Sequence, residues 1–178
     1  MNKGVVSVAV IGAGDRGKDR YGQYVLSHQD RIKIRAVAEP VALKRFQISD
    51  DHQIAPSRQF EDWRTLMDSD PEVDGVIIAT SDDLHFEPVM AAIDKGYHIL
   101  LEKPMSNQLS EVLAIGEAAK VAQGKILVCH VLRYTAFYSE IKGLLDSGVI
   151  GEIVSIQHNE NIGYYHFAHS FVRGNWRN

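Results

Sequence analysis

With 178 residues, a net charge of −4, 45% hydrophobic and 24% charged residues, the chain has the makings of one full globular domain and part of a second. Its acidic balance and scattered Lys and Arg exclude a nucleic-acid footprint and a polybasic membrane surface, and no apolar run is long enough to span a bilayer. The single cysteine, Cys129 in the apolar run KILVC, excludes an internal disulfide and fits a buried thiol in a reducing cytoplasm.

The first predicted element is VVSVAVI, Val5 to Ile11. It is continuous and β-branched, as a strand buried on both faces should be. Gly12 and Gly14 interrupt the apolar stretch, which argues for a strand and against a targeting segment. A helix is expected over Gly17 to His28, then a strand over Ile32 to Glu39 and a helix over Val41 to Asp50 after Pro40. A weak strand near Ser57 to Phe60 and a short helix over Glu61 to Asp68 follow. VDGVIIAT, Val73 to Thr80, is a strand. Asp83 to Lys95 carries Leu84, Val89, Met90 and Ile93 at helical spacing and stops at Gly96. YHILLE, Tyr97 to Glu102, is a strand, and Ser110 is placed to cap a helix running to Gln123. KILVCH, Lys125 to His130, is the last strand of this series. Alternation at this spacing predicts βαβ units: a doubly wound parallel sheet of the Rossmann type over residues 1–130.

Beyond His130 the pattern changes. Thr135 to Ser147 reads as a helix with Phe137, Ile141, Leu144 and Leu145 on one side. GEIVSIQHNENIG then predicts a strand on Ile153, Val154 and Ile156, and the aromatic, His-rich tail is irregular. Residues 131–178 are thus expected to be a linker helix and the truncated start of an α/β substrate domain.

The chemistry begins at VIGAGDRG. Gly12, Gly14 and Gly17 form G-x-G-x-x-G directly after a strand and at the start of a helix. In that context the first glycine permits the tight turn, the second lets backbone approach a pyrophosphate, and the third lets helix pack on strand. Asp15 and Arg16 lie inside the loop and join it as cofactor-binding candidates. Glu39, at the end of the second strand, stands where a carboxylate accepts ribose hydroxyls and repels a 2′-phosphate, so NAD is expected rather than NADP. ILLEKPMS sets Glu102 and Lys103 at the C-terminal end of a late strand, where ligands of open α/β sheets sit, and Pro104 ends the ladder there.

LEKPMS, with GAGDRG upstream and VDGVIIATSDDLHFEPVMAAIDKGYHIL between, resembles the Gfo/Idh/MocA oxidoreductase family over essentially the whole chain. The resemblance implies that Lys103 helps bind substrate and assists proton transfer during hydride exchange at a sugar or polyol carbon. It also implies a cis Lys103–Pro104 peptide, nicotinamide-ribose contacts from Thr80, Ser81 and His85, cofactor contacts at Glu102, and a place for Arg133, and with it Tyr134, near cofactor or substrate. Where the family often has Pro or Asn after the threonine, this chain has Ser81 and Asp82.

The expected function is therefore NAD-dependent hydride transfer between nicotinamide and a sugar, polyol or related hydroxy compound, in a cytoplasmic homo-oligomer. The family's catalytic Asp and His lie on a later helix that no segment here matches, so the 178 residues are expected to bind NAD without turning substrate over. Two rivals stand beside this: a redox-neutral, NAD-retaining glycosidase of the same family, and a non-catalytic nucleotide-binding module. His166 and His169 have i, i+3 spacing but no third ligand in pattern, so no metal is expected. Arg173 and Trp176 are read as packing and surface.

Overall fold

Six short parallel strands build one sheet in the computed structural model, which describes residues 4–173. They are β1 (Val6–Ile11), β2 (Ile32–Ala38), β3 (Gln59–Phe60), β4 (Gly75–Ile78), β5 (His98–Leu101) and β6 (Ile126–Val128), in the order β3-β2-β1-β4-β5-β6. Every pairing is parallel, the doubly wound arrangement expected from the alternating pattern. Two compact units divide between Val131 and Leu132, and the sheet belongs wholly to the first.

The alternation along β1 explains the layering. Val8 and Val10 point into one buried layer with Val25, Ile48 and Ile54. Ala9 and Ile11 point into the other, with Leu66, Val89, Ile93 and Ile115. The helices of the first unit are α1 (Gln23–Ser27), α2 (Ala42–His52), α3 (Trp63–Asp68), α4 (Phe86–Asp94) and α5 (Leu109–Ala119). Asp62 caps α3 by accepting from the Arg64 N–H at 2.7 Å. Gly96, at φ 76°, sits just beyond the end of α4, a left-handed position that favours glycine.

Local departures from expectation have physical reasons. The first helix opens as a π-helical segment, Asp15–Gly22, before α1. A Cβ at Gly17 would lie 1.9 Å from the Gly12 carbonyl oxygen, so this segment presses on the loop as only glycine allows. Ser110 is not the cap of α5 but lies inside its first turn. The N-cap is Gln108, whose side chain makes no capping bond; the Ser106 hydroxyl accepts from the Gln108 N–H at 3.0 Å and donates to the Glu111 carboxylate, tying the approach to the first turn.

The second unit holds α6 (Ala136–Asp146), its Thr135 side chain accepting from the Tyr138 N–H, and the single turn α7 (Tyr164–Phe167). The strand expected at Ile153–Ile156 is not formed: residues 153–156 pair with no strand, and Ile153, Val154 and Ile156 are exposed. A strand exists only as part of a ladder, and among the described residues this unit offers no second strand.

Candidate functional site

The order of the strands makes β1 and β4 neighbours at the point where the chain's connections turn to opposite ends of the sheet, and the crevice beyond their carboxyl ends is where such sheets bind ligands. Gly12 closes the turn after β1 at φ 90°. A Cβ there would come within 2.7 Å of the Ala79 carbonyl oxygen, so the turn after β1 lies against the end of β4. Gly14 is the opposite case. A Cβ on it meets nothing within 4 Å, which leaves its backbone face open. The π-helical segment follows at once and presents its first N–H groups beside that open face.

Glu39 is buried at the end of β2. Its Oε2 accepts from the Ala13 N–H at 2.8 Å and its Oε1 from the Val41 N–H at 3.0 Å. The carboxylate therefore ties the glycine loop to the start of α2. Arg45 donates to the Glu39 carbonyl at 2.5 Å and pairs with Glu61 at 2.9 Å. Asp15 and Arg16 are exposed on the first turn, with Arg16 Nε 4.0 Å from both Asp15 Oδ2 and Glu102 Oε1.

Lys103 follows β5 and is exposed; among the described residues no carboxylate stands within ion-pair distance of its ammonium. Its peptide bond to Pro104 is cis, as the resemblance implied. His85 is completely buried. Its Nδ1 lies 2.7 Å from the Pro104 carbonyl and its Nε2 3.2 Å from the Thr80 carbonyl, so the ring bridges the loops after β4 and β5. The Thr80 hydroxyl donates to the Leu84 carbonyl at 3.2 Å, and Ser81 precedes the short turn Asp82–Leu84 exposed. Burial pushes the Asp82 carboxyl up, while the His85 ring and the Lys103 ammonium pull it the other way.

Gly12, Gly14, Asp15, Arg16, Gly17, Glu39, Thr80, Ser81, His85, Glu102 and Lys103 all lie at the carboxyl end of one sheet. Arg133 belongs to the second unit, exposed in the turn Val131–Tyr134. His166 is exposed in α7, and among the described residues no group of three His, Cys, Asp or Glu gathers as a metal site. The side chain of His169 and all of Trp176 lie outside the described residues. Tyr21 is a participant that motifs do not reveal. Its hydroxyl donates to Glu102 Oε1 at 2.5 Å and lies 2.9 Å from Cys129 Sγ. An isolated aromatic in a helical stretch carries no signal beyond packing.

A glycine loop, an acid ending β2, and a sheet of this order define a dinucleotide-binding Rossmann domain. The chain belongs to the Gfo/Idh/MocA oxidoreductase family, whose model, described as an oxidoreductase family with NAD-binding Rossmann fold, matches residues 6–130. NAD is accordingly the cofactor of this fold, and the open face at Gly14 beside a helix start fits it. An inositol 2-dehydrogenase/D-chiro-inositol 3-dehydrogenase of Lactiplantibacillus plantarum is 28% identical over 149 residues, covering 83% of this chain and 42% of that protein. A 2,7-anhydro-N-acetylneuraminate hydratase of Escherichia coli is 29% identical, covering 90% of this chain and 40% of its own. Among solved structures, scyllo-inositol dehydrogenase from Lactobacillus casei with bound NAD(H) and scyllo-inositol shares the fold at a TM-score of 0.75 and 21% identity, over 84% of this chain and 43% of that one. The chain spans less than half the length of these relatives.

Proposed function

We propose that this chain is the cofactor-binding part of an NAD-dependent oxidoreductase that moves a hydride between nicotinamide and a sugar, polyol or related hydroxy compound. The observation that carries the proposal is Lys103: an exposed, unpaired ammonium set two strands from the glycine loop, at the ligand end of the sheet. Bound NAD supplies the hydride acceptor. The residues of this chain supply the rest. Gly12, Gly14 and Gly17 shape a cradle, Glu39 sets the ribose end, and Lys103 Nζ holds or moves the proton of a substrate hydroxyl. A positioned acid–base group of this kind is worth about 10²–10⁴ in rate. The 178 residues bind the dinucleotide without completing a substrate site, a reading supported by the second unit, which builds no sheet among its described residues. The inositol dehydrogenase relatives favour a polyol or sugar.

A second reading, a redox-neutral enzyme that retains its NAD and oxidises a sugar transiently, is favoured by the likeness to a hydratase of an anhydro sugar. Release of NADH into solution with substrate separates the two. The cradle itself is tested by Gly14→Val. A Cβ there meets nothing within 4 Å, so the variant is expected to fold, which circular dichroism checks, while its side chain occupies the open face. A fluorescence titration is expected to show saturable NADH binding by the natural chain, tighter than NADPH, and at least tenfold weaker binding by the variant. Equal NADH affinity in a folded Gly14→Val would remove the glycine loop from the proposal, and NADPH binding as tight as NADH would remove the role given to Glu39.

A further inference from the structure

Glu102 is buried between two parts of the site. Its Oε2 accepts the Lys103 backbone N–H at 3.1 Å, and its Oε1 accepts the Tyr21 hydroxyl at 2.5 Å. Tyr21 comes from the π-helical segment that begins at the glycine loop. The phenol has one proton, and it is donated in the short bond to the Glu102 carboxylate. The Tyr21 hydroxyl also lies 2.9 Å from Cys129 Sγ. A chain of bonds results, from Cys129 through Tyr21 and Glu102 to the backbone of Lys103. The other cation near Glu102 is Arg16, half-exposed and 4.0 Å away. Burial of the phenol, first, and its two partners raise the Tyr21 pKa well above the usual tyrosine range, which keeps the donor protonated.

The geometry points to Tyr21 as a positioning residue: its hydroxyl fixes the Glu102 carboxylate, and through it the turn that presents Lys103 at the ligand end of the sheet. This rests on Lys103 being the proton-handling group of the proposed oxidoreductase. It adds a link that neither the glycine motif nor the E-K-P tripeptide contains. The segment that starts at the dinucleotide cradle and the turn that carries the lysine share one carboxylate, so cradle and lysine are held in register.

The test is amide hydrogen exchange at Lys103, followed by NMR on the whole 178-residue chain. Tyr21→Phe removes one oxygen and keeps the ring that packs in the second core layer. It is expected to speed Lys103 exchange about tenfold, as fits loss of a hydrogen bond to a charged group, while the Val10 and Ile77 amides hold their rates. Cys129→Ala, which leaves the Tyr21–Glu102 bond in place, is expected to change Lys103 exchange less than threefold. In a double-mutant cycle, Tyr21→Phe added to Glu102→Ala is expected to add nothing, because the route through the carboxylate is already gone. A rise below threefold in Tyr21→Phe, a Cys129→Ala effect as large as that of Tyr21→Phe, or additive effects in the cycle would each overturn the assignment. NADH titration of the same samples keeps the two proposals apart. A natural chain that does not bind NADH defeats the oxidoreductase reading, and the exchange rates still decide whether Tyr21 grips the turn.

Discussion

The strand β1 and the stretch Ile153–Ile156 are written in nearly the same chemistry, VSVAVI against IVSI, and only the first is a strand. β1 lies between β2 and β4, exchanges ladder bonds with both, and buries its last four residues. The second stretch has no partner among the described residues and leaves Val154 94% exposed. The helices repeat the contrast. α4 buries Val89, Ala92 and Ile93 against the sheet, whereas α6 leaves Phe137, Ile141 and Leu144 exposed. An apolar, β-branched or helical pattern states what a segment needs. Whether the need is met depends on neighbours that the pattern does not contain.

The largest effects should divide along this line. Leu66 is fully buried in the layer shared by α3, β1 and β4, so Leu66→Ala should cost about 2–5 kcal/mol. Ile156→Ala removes a side chain that is mostly in water and should change stability by less than about 0.5 kcal/mol. Urea unfolding followed by circular dichroism measures both. A cost above about 1 kcal/mol for Ile156→Ala would break the comparison, by showing that this side chain is packed in solution.

The same logic sets how much was legible in the sequence. The parallel sheet, its helices and the glycine loop were readable because each signal is local: a strand, then glycines at fixed spacing, then a helix start. Lys103 and its cis peptide were readable through a tripeptide. Three things were not. The resemblance implies a nicotinamide-ribose contact for His85; that its ring is enclosed between the Thr80 and Pro104 carbonyls depends on two loops meeting, which no motif contains. Glu39 was placed at the correct strand end, but its grip on the Ala13 and Val41 N–H groups is a property of the folded loop. Tyr21 reaches Glu102 across 81 residues of sequence, and no spacing rule connects them. The strand at Ile153–Ile156 failed for the converse reason, since its pattern is local and its partner is not.

A smaller effect sharpens the picture of the first unit through pH. Tyr97 donates to Asp70 Oδ1 at 2.9 Å, and burial, with that carboxylate second, pushes its phenol up to about 12. An unfolded tyrosine titrates near 10. The folded state therefore holds this proton more tightly, so the contribution is complete below about pH 10 and is lost as pH rises toward about 12. Tyr97→Phe cannot titrate there. The natural chain should lose stability more steeply than Tyr97→Phe between about pH 10 and about pH 11.5, read from urea midpoints at each pH. Equal slopes would mean that the phenol is open to water in solution.

The smallest effect concerns the second unit and has the opposite sign. Gly143 lies inside α6, and a Cβ added to it meets nothing within 4 Å. Its φ is not in the left-handed region, so alanine fits the helical backbone unstrained. Glycine in a helix interior costs about 0.5–1 kcal/mol relative to alanine, because it loses more backbone freedom on ordering. Gly143→Ala should therefore strengthen α6 by about that amount, visible as a gain in helical circular dichroism and slower amide exchange across residues 136–146. Gly17→Ala, in the first unit, would drive a Cβ to 1.9 Å from the Gly12 carbonyl oxygen and can only destabilise. One substitution thus reads out two environments: a glycine kept by close packing and a glycine with room around it. Loss of helicity in Gly143→Ala would show that α6 presents this position to a packing neighbour in solution, and the contrast between the two units would fail at that helix.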